Sequence, residues 1–169
     1  IILRRFCHQL IENHDNFENT VLLGLQPRGS ILMDHLAPIL EEISGVKVPF
    51  GYLDATFHRD DFRRRDFPLK ANETKINFLV EGKKVILVDD VLYKGRSVRA
   101  AMDAMIAFGR PQKVELMVLV DRKLTRDYPI MPDYYGIRVN TLDSQYVVVE
   151  WANQGQTENA VWITEKVKS

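Results

Sequence analysis

The stretch 83–100, KKVILVDDVLYKGRSVRA, decides which fold this sequence predicts. Its segment 85–88 is apolar and rich in β-branched residues, which is typical of a strand buried on both faces of a parallel sheet. Two carboxylates, Asp89 and Asp90, follow at the point where this strand is expected to end. In an open α/β sheet the carboxyl ends of the strands carry the ligands. We therefore expect the two acids to face a ligand site.

A loop carrying Gly95, Arg96 and Ser97 follows the acids, and Ser97 is predicted to cap a helix over 98–108. A strand end, an acidic pair, a tight loop and a helix start place N–H donors and a helix dipole around a phosphate. The carboxylates would lie about one sugar away from that phosphate and could hold hydroxyl groups or a metal ion such as Mg²⁺. This arrangement suits a ribose 5-phosphate. A βα turn with two solvated acids is the alternative.

Composition limits the class of protein. The chain has 169 residues, 46% of them hydrophobic and 27% charged, which fits one globular domain over 1–169. The net charge is zero, so any attraction to nucleic acid or to a membrane surface must come from a local patch. Cys7 is the sole cysteine, which excludes an intrachain disulfide and fits a reducing, cytoplasmic location. No apolar run approaches the ~20 residues of a membrane span.

Apolar spacing predicts the other elements. In chain order they are a helix over 1–13, a strand over 20–24, a helix from Ser30 to its stop at Gly45, a strand over 46–54, a hairpin of 74–80 with 83–88, and strands over 114–120, 133–137, 146–151 and 160–164. Pro38 is expected to kink the second helix or shift its start, and Pro49 places the strand 46–54 at a sheet edge. The charged segment 55–72 is typical of a lid or a loop. The fold class is therefore α/β, with a twisted, mostly parallel sheet flanked by helices.

The run 85–97, VILVDDVLYKGRS, resembles the signature with which type I phosphoribosyltransferases bind phosphoribosyl pyrophosphate (PRPP). Nearly the whole chain is similar to one branch of that family, the bacterial pyrimidine-operon attenuators with uracil phosphoribosyltransferase activity. The resemblance implies a phosphoribosyltransferase-like domain with a flexible lid over roughly 55–80 and a small hood. It also implies transfer of the phosphoribosyl group from PRPP to a nucleobase, with uracil expected, to give UMP and pyrophosphate with Mg²⁺ as cofactor.

The same resemblance assigns catalytic roles to five residues: Arg28, Arg59, Asp60, Asp89 and Asp90. Arg28 follows the first predicted strand in the loop GLQPRG and would meet the leaving pyrophosphate. Arg59 would contact pyrophosphate when the lid closes, and Asp60 would orient it or bind metal indirectly. Asp89 and Asp90 would hold the ribose hydroxyls and would contact the metal through the sugar or water.

The implied PRPP-binding residues are Pro27, Arg28, Gly29, Asp89, Asp90, Val91, Leu92, Tyr93, Lys94, Gly95, Arg96, Ser97 and Arg122. Gly29 would let the backbone approach closely. Lys94 stands where the family usually has Thr, and it could bind phosphate as a point charge or block the pocket. Arg122 could serve the pyrophosphate or the base pocket, or it could form a structural ion pair with Asp121.

RNA binding is the second implied activity. Arg5 and His8, in the first predicted helix, match positions that help to bind RNA in the attenuators, although a solvated helix face is the alternative. The segment 123–130 departs from the family because it is one residue longer and lacks the usual His. Three functions therefore stay open: a uracil transferase, an attenuator that binds an mRNA leader and senses nucleotide in a retained pocket with weak or no transferase activity, and a ligand-binding protein with impaired chemistry. A homodimer is expected in each case.

Overall fold

The computed structural model describes residues 1–59, 73–123 and 126–165. These residues form three α-helices, α1 (Ile2–His14), α2 (Arg28–Ser44) and α3 (Arg96–Met105). The strands are β1 (Thr20–Leu25), β2 (Phe50–Leu53), β3 (Lys84–Leu92), β4 (Lys113–Arg122), β5 (Tyr134–Val139), β6 (Gln145–Glu150) and β7 (Ala160–Glu165). None of the helices in these ranges is long and apolar enough to cross a membrane.

The first five strands form one parallel sheet in the order β2-β1-β3-β4-β5. Alternate residues of the central strand β3 point to opposite faces, and both faces are covered. Ile86 and Val88 belong to the core beneath α1 and α2, whereas Val85 and Leu87 belong to the core beneath α3. The prediction of an α/β fold with a buried parallel sheet is confirmed.

The last two strands, β6 and β7, form a separate antiparallel sheet. Val149 at the end of β6 and Trp151 just after it are buried in the same core as α2. The Trp151 ring stacks on His35 of α2 with 4.2 Å between the ring centroids. We call this two-stranded unit, with the loop 140–144 that precedes it, the hood.

A buried polar cluster joins α1 to the sheet at the end opposite the acid pair. Glu115 of β4 accepts hydrogen bonds from His14 Nε2 at 2.7 Å, Lys113 Nζ at 2.7 Å and the Tyr134 hydroxyl at 2.9 Å. Burial opposes ionisation of Glu115, but these donors outweigh it and hold the pKa of the carboxyl below its ordinary value of 4.5. The cluster therefore stabilises the fold through an ionised, well-partnered carboxylate.

The structure corrects the boundaries around the acid pair. β3 continues through Asp89 and Asp90 to Leu92, because its ladder with β4 extends as far as the pairing of Leu92 with Asp121. The loop to α3 is consequently short, 93–95, and the helix begins at Arg96. Ser97 makes no capping hydrogen bond, because the N-cap position belongs to Gly95 in a left-handed conformation. The predicted cap at Ser97 is wrong.

Three further elements differ from the sequence predictions. The hairpin of 74–80 with 83–88 is wrong: Lys75 forms an isolated bridge with Tyr52, and the Val80 N–H donates to the Phe108 carbonyl at 2.8 Å. The second strand is shorter than predicted, but it lies at the sheet edge, as Pro49 indicated. Helix α2 contains Pro38 and begins at Arg28, two residues before Ser30. Of the predicted lid, the residues 60–72 lie outside the described ranges.

Candidate active site

A cleft of about 360 Å³ lies at the carboxyl ends of β1 and β3. A second cavity of about 280 Å³ adjoins it, and the two share the residues Arg59, Asp89, Val91 and Ser97. Between them they are lined by most of the predicted PRPP-binding residues: Pro27, Arg28, Asp89, Asp90, Val91, Leu92, Tyr93, Lys94, Gly95, Arg96 and Ser97. The fold therefore brings together residues that lie far apart in the sequence.

The acid pair lies in the cleft on the last part of β3. The Asp90 N–H donates to Asp89 Oδ1 at 2.8 Å, and the Val91 N–H donates to Asp90 Oδ1 at 2.7 Å. Burial and the neighbouring Asp90 charge raise the pKa of Asp89 well above its ordinary value. A carboxyl pair held in this way by the backbone is preorganised to accept hydrogen bonds from vicinal hydroxyls.

Arg28 extends from the start of α2 over the acid pair. Its Nε donates to Asp90 Oδ2 at 3.0 Å, and its Nη2 donates to the carbonyl oxygen of Val149 in the hood at 2.8 Å. The side chain is 48% exposed, so it remains accessible to an anion in the cleft. The interaction with Val149 could not be expected from the sequence, because a strand carbonyl leaves no residue-type signal.

Gly29 holds the first turn of α2 against β3. A Cβ atom at this position would lie 2.2 Å from the carbonyl oxygen of Val88 and 3.1 Å from Cα of Asp89. Such distances are too short for any side chain, so only glycine allows this approach. The partner in this contact is the strand that carries the acid pair. Gly29 lines neither cavity as the described residues form them, and its predicted role in binding PRPP stays a prediction.

The loop 93–95 and the first turn of α3 surround the second cavity. Gly95 has φ 87°, a conformation that glycine adopts without steric cost. Helix α3 begins immediately afterwards at Arg96, so the positive end of its dipole and its first N–H groups lie at this cavity. The arrangement suits a phosphate group.

Lys94 lines the second cavity, but its ammonium group is paired with the hood. Nζ lies 3.2 Å from Oδ1 of Asp143, which also accepts a hydrogen bond from the Tyr93 hydroxyl at 2.7 Å. Lys94, in place of the usual Thr, thus connects the loop 93–95, which we call the phosphate loop, to the loop before β6.

Arg122 is placed differently from the other predicted site residues. It is 3% exposed, and its guanidinium donates to Thr141 Oγ1 at 2.8 Å and lies 4.0 Å from the Tyr93 ring centroid. Neither cavity, as formed by the described residues, is lined by Arg122. Asp121 pairs with Arg126 and Arg138, so the alternative of an Asp121–Arg122 ion pair is wrong.

The remaining predicted site residues are Arg59 and Asp60 of the lid and Arg5 and His8 of α1. Arg59 lies at the end of the described part of the lid and lines both cavities, whereas Asp60 lies outside the described residues. Arg5 and His8 are exposed on α1, and Arg5 donates hydrogen bonds to the carbonyl groups of Tyr135 and Gly136.

The family model described as "Phosphoribosyl transferase domain" matches residues 1–154 of this chain. The chain belongs to the phosphoribosyltransferase family. Among its members, the "Bifunctional protein PyrR" of Geobacter sp. (strain M21) is 45% identical over 147 residues, covering 87% of this chain and 82% of that protein. The protein of the same description from Limosilactobacillus fermentum is 44% identical, over 87% of this chain and 83% of its own length. The family prediction is confirmed.

Solved structures of this family share the fold at low sequence identity. HGPRT-ase from Leishmania tarentolae in complex with GMP has a TM-score of 0.66 and 18% identity, covering 87% of this chain and 78% of that one. A hypoxanthine phosphoribosyltransferase from Staphylococcus aureus has a TM-score of 0.65 and 16% identity, covering 87% and 74%. These likenesses confirm the predicted phosphoribosyltransferase fold.

Proposed function

We propose that this protein transfers the phosphoribosyl group of PRPP to uracil, giving UMP and pyrophosphate. The observation that carries the proposal is the pair of adjoining cavities that the acid pair of β3, the phosphate loop and Arg28 at the start of α2 line together. Relatives described as bifunctional protein PyrR, at 41–45% identity, support the choice of a pyrimidine acceptor, because the sequence resembles the pyrimidine branch of the family.

The site would hold PRPP at three points. Asp89 and Asp90 would accept hydrogen bonds from the ribose hydroxyls, and the backbone N–H groups of the phosphate loop and of α3 would bind the 5′-phosphate. Arg28 and Arg59 would lie on the pyrophosphate side, since both line the larger cavity. Binding at three points fixes C1 of the ribose relative to the incoming base.

The reaction breaks the bond from C1 to the pyrophosphate oxygen and forms the bond from C1 to a ring nitrogen of uracil, which loses its proton. Positive charge develops on the ribose and negative charge on the leaving group in the transition state. Arg28 would stabilise the leaving group through a guanidinium that is already oriented by Asp90 and Val149. No protein nucleophile is needed, so positioning and charge stabilisation account for catalysis.

The residues of the cleft fit Mg²⁺ as a substrate-borne cofactor. Carboxylate oxygens suit Mg²⁺ and its bound water, and Asp89 and Asp90 would contact the metal through the ribose hydroxyls or water. Within the described ranges no group of three or more His, Cys, Asp or Glu side chains could hold a metal ion, so the metal would take its ligands from PRPP and water. When bound, Mg²⁺ would neutralise charge on pyrophosphate.

The double variant D89N/D90N tests the proposal. We expect PRPP-dependent formation of UMP to disappear, because the ribose contacts are lost, while Asp103→Asn retains full activity. Asp103 is a suitable control because it is an exposed acid of α3 whose partner is Arg99, outside the cleft. The assay follows pyrophosphate release with uracil, cytosine, hypoxanthine and guanine in turn. Full activity in the double variant would contradict the site, and preference for a purine would contradict the acceptor.

A second function, RNA binding that attenuates pyrimidine genes, is supported by two observations. The relatives are described as bifunctional, and Arg5 and His8 are both exposed on α1. Binding of a pyrimidine mRNA leader should weaken with rising salt and in Arg5→Ala and His8→Ala. Binding that is absent, or independent of salt, would exclude this function. The homodimer and the cytoplasmic location stay predictions.

A further inference from the structure

The segment 126–128, between β4 and β5, is attached to the phosphate loop by several contacts. Arg126 Nη1 donates to the carbonyl oxygen of Tyr93 at 2.7 Å. The backbone N–H groups of Asp127 and Tyr128 donate to the carbonyl oxygen of Lys94 at 3.0 and 3.3 Å. The Asp127 carboxylate also accepts a hydrogen bond from Arg96 Nε at 2.8 Å. The segment therefore contacts two consecutive carbonyl groups of the loop.

These contacts determine where the loop directs its N–H groups. In a trans peptide the C=O and the N–H of one unit point in opposite directions. Because the carbonyls of Tyr93 and Lys94 face the segment, the N–H groups of Lys94 and Gly95 face away from it. The second cavity is lined by Arg59, Asp89 and 91–98 and by none of 126–128, so the segment does not occupy the space in which a phosphate would meet these N–H groups.

Arg126 is itself held in place from the core. Its Nη2 donates to Asp121, which is 2% exposed and lies on β4 in register with Leu92 at the end of β3. The Arg126 side chain is only 15% exposed. A planar guanidinium with two fixed partners is a rigid bridge, which an ammonium group cannot reproduce.

We propose that Arg126 is a positioning residue for the 5′-phosphate of the substrate. By bridging Asp121 and the Tyr93 carbonyl, it keeps the N–H groups of Lys94 and Gly95 turned toward the phosphate. The inference rests on the proposed function, since it assigns the 5′-phosphate to the second cavity. Arg126 does not contact the substrate, and its effect passes through the loop backbone.

The test compares Arg126→Met with Arg138→Met. Arg138 Nε also pairs with Asp121, at 2.9 Å, and its guanidinium lies over the Tyr135 ring rather than on the phosphate loop. We expect Arg126→Met to raise KM for PRPP and to weaken binding of ribose 5-phosphate by about tenfold or more, the loss typical of one charge-assisted hydrogen bond. Because the phosphate is held equally before and during reaction, kcat should change less than about twofold.

Two measurements separate positioning from general damage. Pyrophosphate affinity, measured by calorimetry, should be unchanged in Arg126→Met, because pyrophosphate binds on the Arg28 side. Arg126→Lys keeps the positive charge but not the planar guanidinium that reaches two partners. It should weaken binding of ribose 5-phosphate as Arg126→Met does, and because it keeps the charge it serves as the test if Arg126→Met does not fold.

The inference is overturned if Arg126→Met or Arg126→Lys binds ribose 5-phosphate like the wild type, or if Arg138→Met loses as much affinity. It is also overturned if pyrophosphate affinity falls equally in a folded variant. The proposed function fails separately: in that case the wild type itself neither binds ribose 5-phosphate nor releases pyrophosphate from PRPP.

Discussion

Gly29→Ala tests whether the first turn of α2 must rest on β3 for the cleft to work. The added Cβ would lie 2.2 Å from the Val88 carbonyl oxygen. Contacts of this kind below 3.0 Å are essentially never seen, so the two backbones must separate by at least 0.8 Å. Neither partner is a flexible side chain, and the displacement must therefore move Arg28 relative to the acid pair.

The expected loss is large for catalysis and moderate for stability. A misplacement of about 1 Å at a reacting centre can reduce the rate about 100-fold, so we expect kcat/KM to fall by about that factor. Overpacking of this kind costs about 1–3 kcal/mol of folding free energy. Alanine is a better helix former than glycine by ~1 kcal/mol, which offsets part of the cost at this position in the first turn of α2.

Initial rates with PRPP and uracil, together with thermal melting, measure both effects. Gly82→Ala is the control, because Gly82 has φ 68° and an added Cβ meets nothing within 4 Å. Its expected cost is backbone strain of about 1 kcal/mol, with kcat/KM unchanged. If Gly29→Ala keeps kcat/KM within about threefold of the wild type, the first turn of α2 does not need its contact with β3. The proposed positioning of Arg28 by that contact is then wrong.

Three further tests, with four substitutions, concern the charges described above. Asp89→Asn should raise the melting temperature at pH 7 by at least about 2 °C, because the raised pKa of Asp89 makes its ionisation costly in the folded protein. This cost to the wild type grows as the pH rises above 3.8, so the gain in melting temperature should vanish as the pH falls toward 3.8. A gain in melting temperature that does not depend on pH would refute this cause. Glu115→Gln should destabilise the protein by about 2 kcal/mol at pH 7. The stability that the lowered pKa of Glu115 confers on the wild type is lost as the pH falls through and below 4.5. Denaturant titrations should therefore show the difference in unfolding free energy between wild type and variant shrinking at low pH, and an unchanged difference there would contradict the role of Glu115. Lys94→Thr and Asp143→Asn should change KM for PRPP equally if the two residues act only as a pair, whereas a larger increase in Lys94→Thr would show that Lys94 binds the phosphate.

Sequence patterns were sufficient for the central sheet because its strands are buried on both faces. The apolar segment 85–88 needed no tertiary information to be recognised as a strand, and Pro49 correctly indicated an edge. The end of β3 could not be seen, because polar Asp89 and Asp90 remain in the strand only through their ladder with β4. Hydrogen bonds between distant strands leave no local mark on the sequence.

Site residues could be predicted where the type of side chain implies its function, but not where the function depends on the position of the side chain in the fold. The acids and Arg28 suit a phosphorylated sugar by their chemistry, and the fold brings them together. Arg122 has equally suitable chemistry, yet it is buried against Thr141 beneath the hood. Arg126 received no role from the sequence, because its importance comes from a carbonyl oxygen that it reaches 33 residues away.

The hood is hydrogen-bonded as its own sheet, separate from the five parallel strands that carry the acid pair. Changes of sequence in β6, β7 and their connections therefore leave the hydrogen-bonded ladder of the acid pair intact, and they reach the cleft through the contacts of the hood with Arg28 and Lys94.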